Sequence, residues 1–516
     1  MFRVVALFEL DRQVRGHVFW VVALISFGMV LGSVGVDELR VGVHPGGARN
    51  GVEAIVLTHG VWSLFFMFAT AAFVADAVLR DELVGFAPVF RSMPIRQFDY
   101  LGGRFAGAFA AVLLCFASVP IGIVAGAAMP WVAPTSVGPN SVAALAWAYG
   151  VIAAPNLLLS AAVGFALATI SRSLGVALVG AVALLTIYGL GARVCAVLPP
   201  VLEPFGFAAF ARAIAEWTPA QRDLFVPTLS GALLGNRLLV IGVSAALLAL
   251  SGSRARPRPA RRERVAARAS TSPARFFHAL PTFDHWTTVR QFSARTRLEL
   301  GQVARTPVFA ALLLLGIANA LATLWPMRGA TAPAVAAALD GAYQLTPIVI
   351  ALFFSGELRW MERERGIAKL LDATPLAPTA FLLPKALAIA LVLLGSYLAA
   401  AGAAGLLLAV RGQGDAAASL PAWVLGGGYD ALTFAALALF LQALAPNKLA
   451  GWGFTVLFLI ATLTLDRLGF TNPAYRYARY PAGERITGPF HLGWAMVAIV
   501  LLMVATRLAA RPDARR

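Results

Sequence analysis

The sequence predicts an all-α integral membrane protein of about twelve transmembrane helices, arranged as two pseudo-repeated six-helix halves. Three observations carry this: the composition, the recurrence of uncharged apolar runs, and charged segments that return at fixed offsets. The 516 residues are 59% hydrophobic and 13% charged, with a mean hydropathy of +0.77, against roughly 25% charged and about 45–50% apolar residues in soluble domains. No single soluble core absorbs that much apolar surface. A hydrocarbon layer about 30 Å thick needs roughly 20 apolar residues per helical crossing, and runs of that length recur along the whole chain.

In the first half the crossings are expected near Val18–Val36, Ala54–Val78, Phe105–Met129, Val142–Ile170, Leu174–Leu198 and Leu234–Leu250, the last being the shortest. In the second they fall near Val308–Pro326, Tyr343–Leu358, Ala380–Val410, Ala422–Leu444, Leu449–Leu465 and Phe490–Leu508. An even count puts both termini on one side. Roughly 30 of the 42 Lys and Arg residues lie in loops on that side, which the cationic bias of cytoplasmic loops makes the cytoplasm. The Arg-rich stretch Ser253–Ser270 has the Pro/Arg/Ala composition of a flexible linker. It divides the chain into a first six-helix half (1–251), a linker (252–290) and a second six-helix half (291–516).

The net charge of +17 resides in loops between apolar runs rather than on a basic domain. Anionic lipid headgroups, not nucleic acid, are the expected counter-charge. The two cysteines, Cys115 and Cys195, lie far apart in or beside apolar runs, so neither a disulfide framework nor a thiolate metal site is implied. The opening MFRVVALFELDRQVR lacks the small-residue cleavage site of a secretory signal.

Two internal correspondences stand out. Glu9, Leu10, Arg15, Val18 and Phe19 match Glu299, Leu300, Arg305, Val308 and Phe309 at identical spacing. Each set mixes charge with apolar residues just before a crossing, as expected of an interfacial helix preceding spans one and seven; a simple juxtamembrane anchor is the plainer alternative. Asp76, Asp81, Gly85, Pro94 and Arg104 pair with Glu357, Glu362, Gly366, Pro375 and Lys385 at one constant offset. These lie in the cytoplasmic loops after spans two and eight, where acids, a Gly, an apolar turn and a Pro stop suggest a short cytoplasmic helix. Two such helices offer a soluble partner a pair of docking points. An ordinary loop obeying the positive-inside rule accounts for the bases, but not for acids, Gly and Pro repeated in register.

With these residues in view, the chain resembles the permease subunits of type-2 ATP-binding-cassette exporters. Glu362, Arg363, Glu364, Gly366, Leu370, Leu371, Thr374, Pro375 and Lys385 match that family's loop pattern. The first copy is looser: Phe90, Ser92, Pro94 and Arg104 are retained, with Arg80 and Asp81 in place of a longer acidic stretch. Over nearly the whole chain there is similarity to a bacterial subgroup in which a double-length permease is fused to a zinc aminopeptidase. FVADAVLRDELVGF, FDYLGGRFAGAF, APNLLLSAAVGFALAT, EPFGFAAF with Trp217–Thr218, GNRLL and LAPNKLAGW carry that similarity. The chain departs from the fused form by ending soon after the twelfth span. None of its histidines (His17, His44, His59, His278, His285, His491) forms an H-E-x-x-H pair. Peptidase activity and a metal site are not expected, and a separate peptidase partner is compatible.

The resemblance implies a bacterial inner-membrane permease that binds no cofactor itself. ATP and magnesium enter through two separate cytoplasmic ATPase subunits. They would grip coupling loop one (Arg80, Asp81, Glu82, Gly85, Arg91, Pro94) and coupling loop two (Glu362, Arg363, Glu364, Gly366, Lys369, Pro375). Lys369, Lys385 and Lys448 are followed by Leu370, Ala386 and Leu449, so no G-x-x-x-x-G-K-[ST] phosphate loop exists in this chain. The resemblance also implies short re-entrant helices within Pro199–Ser230 and Asp466–Pro489; the plainer alternative is an ordinary external loop.

Charged groups in hydrocarbon are functional candidates by default. Asp76 and Glu357 sit at span ends, where pairing with Arg80 and Arg359 suffices. Asn156 and Asp430 fall at roughly corresponding places in spans four and ten and are candidates for a translocation path, with helix-to-helix hydrogen bonding an equal alternative. His59 and Gln442 are similar cases and are not expected to be ligands. Gly102, Gly103 and Gly107 suggest close helix packing. A twelve-helix secondary transporter, or a membrane anchor for a peptidase, also fits parts of this pattern. The duplicated loop and the few buried carboxylates favour the ATPase-driven class.

Overall fold

The computed structural model describes residues 1–36, 47–83, 96–194, 199–254, 285–372, 379–470, 477 and 489–510. Among these the chain is all-helical, with no strand. Eleven helical stretches are long and apolar enough to cross a membrane, and a twelfth apolar helix, Leu174–Gly189, is shorter.

The chain opens with α1 (Phe2–Val14), which Gly16 in extended conformation separates from α2 (His17–Gly35). Next come the 32-residue α3 (Val52–Leu83), then α4 (Gln97–Phe116) and α5 (Ser118–Ala127), which together form one crossing. The fourth crossing joins α6 (Val142–Trp147) to α7 (Ala154–Ser171) through a π-helical turn, Ala148–Ala153. Pro155 follows that turn directly. Lacking an N–H, it leaves a carbonyl of the preceding turn without its helical donor. α8 (Leu174–Val194), the short α9 (Phe207–Ala213) and α10 (Pro219–Leu224), and α11 (Gly231–Arg254) complete this part.

The remainder begins with α12 (His285–Ala304), which Thr306 and Pro307 separate from α13 (Pro307–Leu324). The Thr306 hydroxyl accepts from the Phe309 N–H at 3.2 Å, the expected N-cap. α14 (Ala332–Tyr343) and α15 (Leu345–Glu364) share one apolar crossing, followed by α16 (Ala368–Asp372). α17 (Thr379–Val410), α18 (Leu420–Leu444), α19 (Lys448–Arg467) and α20 (Pro489–Ala510) end the chain.

Several boundaries differ from those the apolar runs suggest. The crossing expected to be shortest, Leu234–Leu250, is the 24-residue α11, which runs beyond both expected ends. Helix also extends to Arg254 and resumes at His285, so both ends of the expected 252–290 linker are helical.

Polar contacts between loop ends place the helix termini on two faces. On one, Gln97 meets the Gly252 carbonyl, and Lys448 meets Glu357 and Glu364. On the other, Asp223 accepts from the Ala48 N–H at 3.0 Å, Arg49 donates to Ser136 at 3.0 Å, and Arg411 donates to the Trp325 carbonyl at 2.7 Å. α20 starts on this second face, where the Tyr429 hydroxyl donates to the His491 carbonyl at 2.6 Å. Its end therefore returns to the face that carries α1.

The two parts meet along α8, whose Val179 and Val182 pack into the same core as Leu312, Ile350 and Phe353, and whose Gly175 lies under the Phe353 ring. A second junction joins α19 to α2, where the Thr464 hydroxyl contacts Met29 Sδ at 3.6 Å.

Candidate functional site: paired charge clusters under two loops

α1 is amphipathic in an inverted sense. Val4, Leu7 and Phe8 are exposed, while Glu9 and Gln13 are buried against the protein. A helix resting on a bilayer keeps its apolar side outward and turns its polar side to a protein partner that satisfies it. That partner is α4, which allows very close approach. A Cβ at Gly103 would fall 2.9 Å from the Phe2 carbonyl and from Val5, and one at Gly107 would overlap the Ala6 carbonyl. The close packing expected of Gly102, Gly103 and Gly107 is thus packing against α1.

This approach delivers Glu9, with no exposed surface, into a nest of cations. Arg104 from α4 donates to it at 2.7 Å, Arg80 from α3 donates at 2.9 and 3.0 Å, and Gln13 donates at 2.9 Å. Arg104 also pairs with Asp81, and the Tyr100 hydroxyl donates to the same carboxylate. Arg80 pairs with Asp76 one turn away, as the spacing suggests.

A second cluster forms from α12, α15 and α17. Glu299, again without exposed surface, accepts from Arg295 at 2.9 Å. Arg295 reaches across to Glu362, which Lys385 also contacts at 3.0 Å while donating to the Leu358 carbonyl at 2.6 Å. Burial pushes the Glu299 pKa above its ordinary value; Lys385 and Arg295 oppose that shift. Nearby, Glu357 is met by Lys448 at 2.7 Å, a partner from α19 that no local spacing announces.

The residues paired by offset in the sequence therefore meet in space. Glu9, Asp81 and Arg104 converge in one cluster, and Glu299, Glu362 and Lys385 in the other. The second cation in each comes from a different helix. The sequence counterpart of Arg80 is Met361 and that of Arg295 is Val5, so the bridging cation lies on the span in one cluster and on the preceding helix in the other. Charge neutrality, more than position, is what both clusters keep once Arg12, 3.9 Å from Asp76, is counted with the first, since a buried carboxylate without a cation costs several kcal/mol (about 3–5).

The proposed loop residues thus divide. Arg80, Asp81 and Glu362 face inward, tying the loop bases to the helix bundle. Glu364, half exposed, pairs with Lys448 at 3.2 Å, and Arg363 lies over the Trp360 ring at 4.9 Å. Gly366 ends α15 with φ +70°, a left-handed conformation that glycine adopts without strain. Its N–H donates to the Arg363 carbonyl and the Ile367 N–H to Glu362, the paired closure of a helix C-terminus. Beyond it, Ile367 and, in α16, Leu370 are exposed, Leu370 at 72%. Lys369 lies in α16 and Glu82 in the last turn of α3. Gly85, Arg91, Pro94 and Pro375 lie outside the described residues.

Asn156 and Asp430 are not brought into this site. Asn156 is buried, its amide donating to Ser63 at 2.9 Å and accepting from Arg237 at 2.9 Å. Asp430 is half buried in α18, its carbonyl accepting from Thr433. The Gln442 side chain accepts from the Trp360 indole at 2.9 Å, and the His59 Nδ1 contacts the Ile55 carbonyl at 2.8 Å. Sequence reasoning passed over Arg237, although a cation six residues into an apolar helix was its signal. It also missed Arg295, whose sequence counterpart is apolar. Within Pro199–Ser230 the structure places a short 3₁₀ turn, α9 and α10; of 466–489, most lies outside the described residues. Among the described residues, no group of three or more His, Cys, Asp or Glu is gathered as metal ligands.

No protein-family model matches the chain, and no curated protein matches it.

Proposed function

We propose that this chain is the membrane-spanning permease subunit of an ATP-binding-cassette transporter, working as an exporter in a bacterial cytoplasmic membrane with both termini cytoplasmic. In this reading the two parts are pseudo-repeated six-helix halves. Two separate ATPase subunits dock on the loops after α3 and α15, and their ATP-driven closure rocks one half against the other. One observation supports it above the rest: residues related by constant sequence offsets gather into a neutralised charge cluster at the base of each loop. An ordinary cytoplasmic loop has no need of such an anchor. A loop that transmits force does, because a push at its tip must reach the helices without being absorbed by local bending.

Anchor and grip are then different residues. Asp81 and Glu362 hold the loop to α1, α4, α12 and α17, while Ile367 and Leu370 are the exposed apolar surface for a soluble partner. The substrate remains open to lipids, hydrophobic peptides or other apolar molecules.

The test is co-expression with a cassette ATPase encoded beside this gene. The expected result is a stable complex whose ATP hydrolysis exceeds that of the ATPase alone, with Leu370→Asp costing the complex one of its two ATPase subunits and lowering the stimulation while the permease keeps its melting temperature. Proton-driven uptake by the purified chain without any ATPase would overturn the reading in favour of a secondary transporter.

A further inference from the structure

Away from the charge clusters, on the opposite face, a second polar network runs through the first part of the chain. Arg237 is 3% exposed, six residues into α11, or about 9 Å along its axis. Its Nε donates to the Asn236 side-chain oxygen at 2.8 Å and one terminal nitrogen donates to Asn156 at 2.9 Å. The Asn236 amide in turn donates to the carbonyls of Val201 at 2.8 Å, Pro200 at 3.4 Å and Glu203. Asn156 passes the chain on to Ser63, which donates to the Gly60 carbonyl at 2.6 Å. The segment 199–213 is seated over this network. Gly206, at φ +83°, lies directly on the Arg237 guanidinium, and the Phe207 ring lies on Gly60.

The acceptors of Arg237 are amide oxygens, not carboxylates. The acid in the overlying segment, Glu203, uses its carboxylate on the Phe205 and Ala208 N–H groups at 2.8 and 3.1 Å. A buried guanidinium hydrogen-bonded to neutral oxygens, with the Glu203 carboxylate acting on it only through space, is retained weakly compared with one in an ion pair. Six residues from the start of α11, its long side chain can also extend toward that end of the helix. The π-helical turn Ala148–Ala153, which ends three residues before Asn156, is the kind of helix irregularity that concentrates where a helix must adjust.

We propose that Asn236 and Arg237 form a latch that holds segment 199–213 closed over α3 and α7, and that this face opens when Arg237 leaves Asn156. The inference does not rest on the ATPase-driven reading, and its test uses no ATPase. Hydrogen–deuterium exchange is measured on the full-length chain in lipid nanodiscs. Arg237→Gln is expected to speed exchange across 207–213 at least tenfold, with exchange in 379–410 unchanged. Asn156→Asp, which gives Arg237 a carboxylate and lets the Ser63 hydroxyl turn to donate to it, is expected to slow exchange in the same segment several-fold. If Arg237→Gln does not fold, the Asn156→Asp result decides alone. Unchanged exchange in 207–213, or an equal change throughout the chain, overturns the latch.

Discussion

Glu9 shows how a buried charge sets local stability. Truncating one partner of a buried pair leaves the other uncompensated, which costs far more than the intact pair gains over an apolar substitute. Glu9→Leu, which leaves Arg80 with Asp76 alone and Arg104 with Asp81 alone, is expected to cost about 3 kcal/mol and to lower the melting temperature in detergent. The double variant Glu9→Leu/Arg80→Met should recover part of that loss. Glu299 adds a pH dependence. Its raised pKa means that the native state holds the proton more tightly than the unfolded chain does, so its contribution is full at low pH and is lost as pH rises through the folded value. Glu299→Gln should flatten that part of the stability profile, measured by thermal unfolding across an acid-to-neutral series. Gly366→Ala forces a Cβ into the left-handed conformation and is expected to cost about 1 kcal/mol.

The helices themselves show what a sequence discloses. α1 and α12 were legible because Glu9 and Glu299 recur at fixed spacing before an apolar run, and Asp81, Arg104, Glu362 and Lys385 were legible for the same reason. That these residues face the protein was not, since hydropathy records how many polar groups a segment has and not where they find partners. The bridging cations, Arg80 in one cluster and Arg295 in the other, escape an alignment of repeats because neutrality can be met from either helix. Arg237 was masked by its apolar neighbours, and the pairing of Lys448 with Glu357 joins elements too distant for any local pattern. The packing of α1 on α4 is testable at this scale. Gly107→Val places side chain into the Ala6 carbonyl and should separate the helices, whereas Gly102→Ala meets only the Phe2 ring at 3.2 Å, which can move. Cysteine crosslinking between the two helices should fall in the first variant and persist in the second.

Across the whole molecule, the two parts join through α8 packing on α13 and through α19 touching α2. In the proposed reading, rocking of one part against the other is taken up at this junction, where Val179 and Val182 share a core with Leu312 and Ile350. Each charge cluster lies at the loop end of its own bundle, so a force applied at the loops acts on the bundles and leaves the junction to yield. The account therefore needs one engine on each loop.

Native mass spectrometry of the co-expressed complex tests that requirement most directly. Two ATPase subunits per chain are expected, falling to one when Leu370→Asp disables the second loop. A chain that carries no ATPase, or that keeps both when Leu370 is changed, contradicts the account.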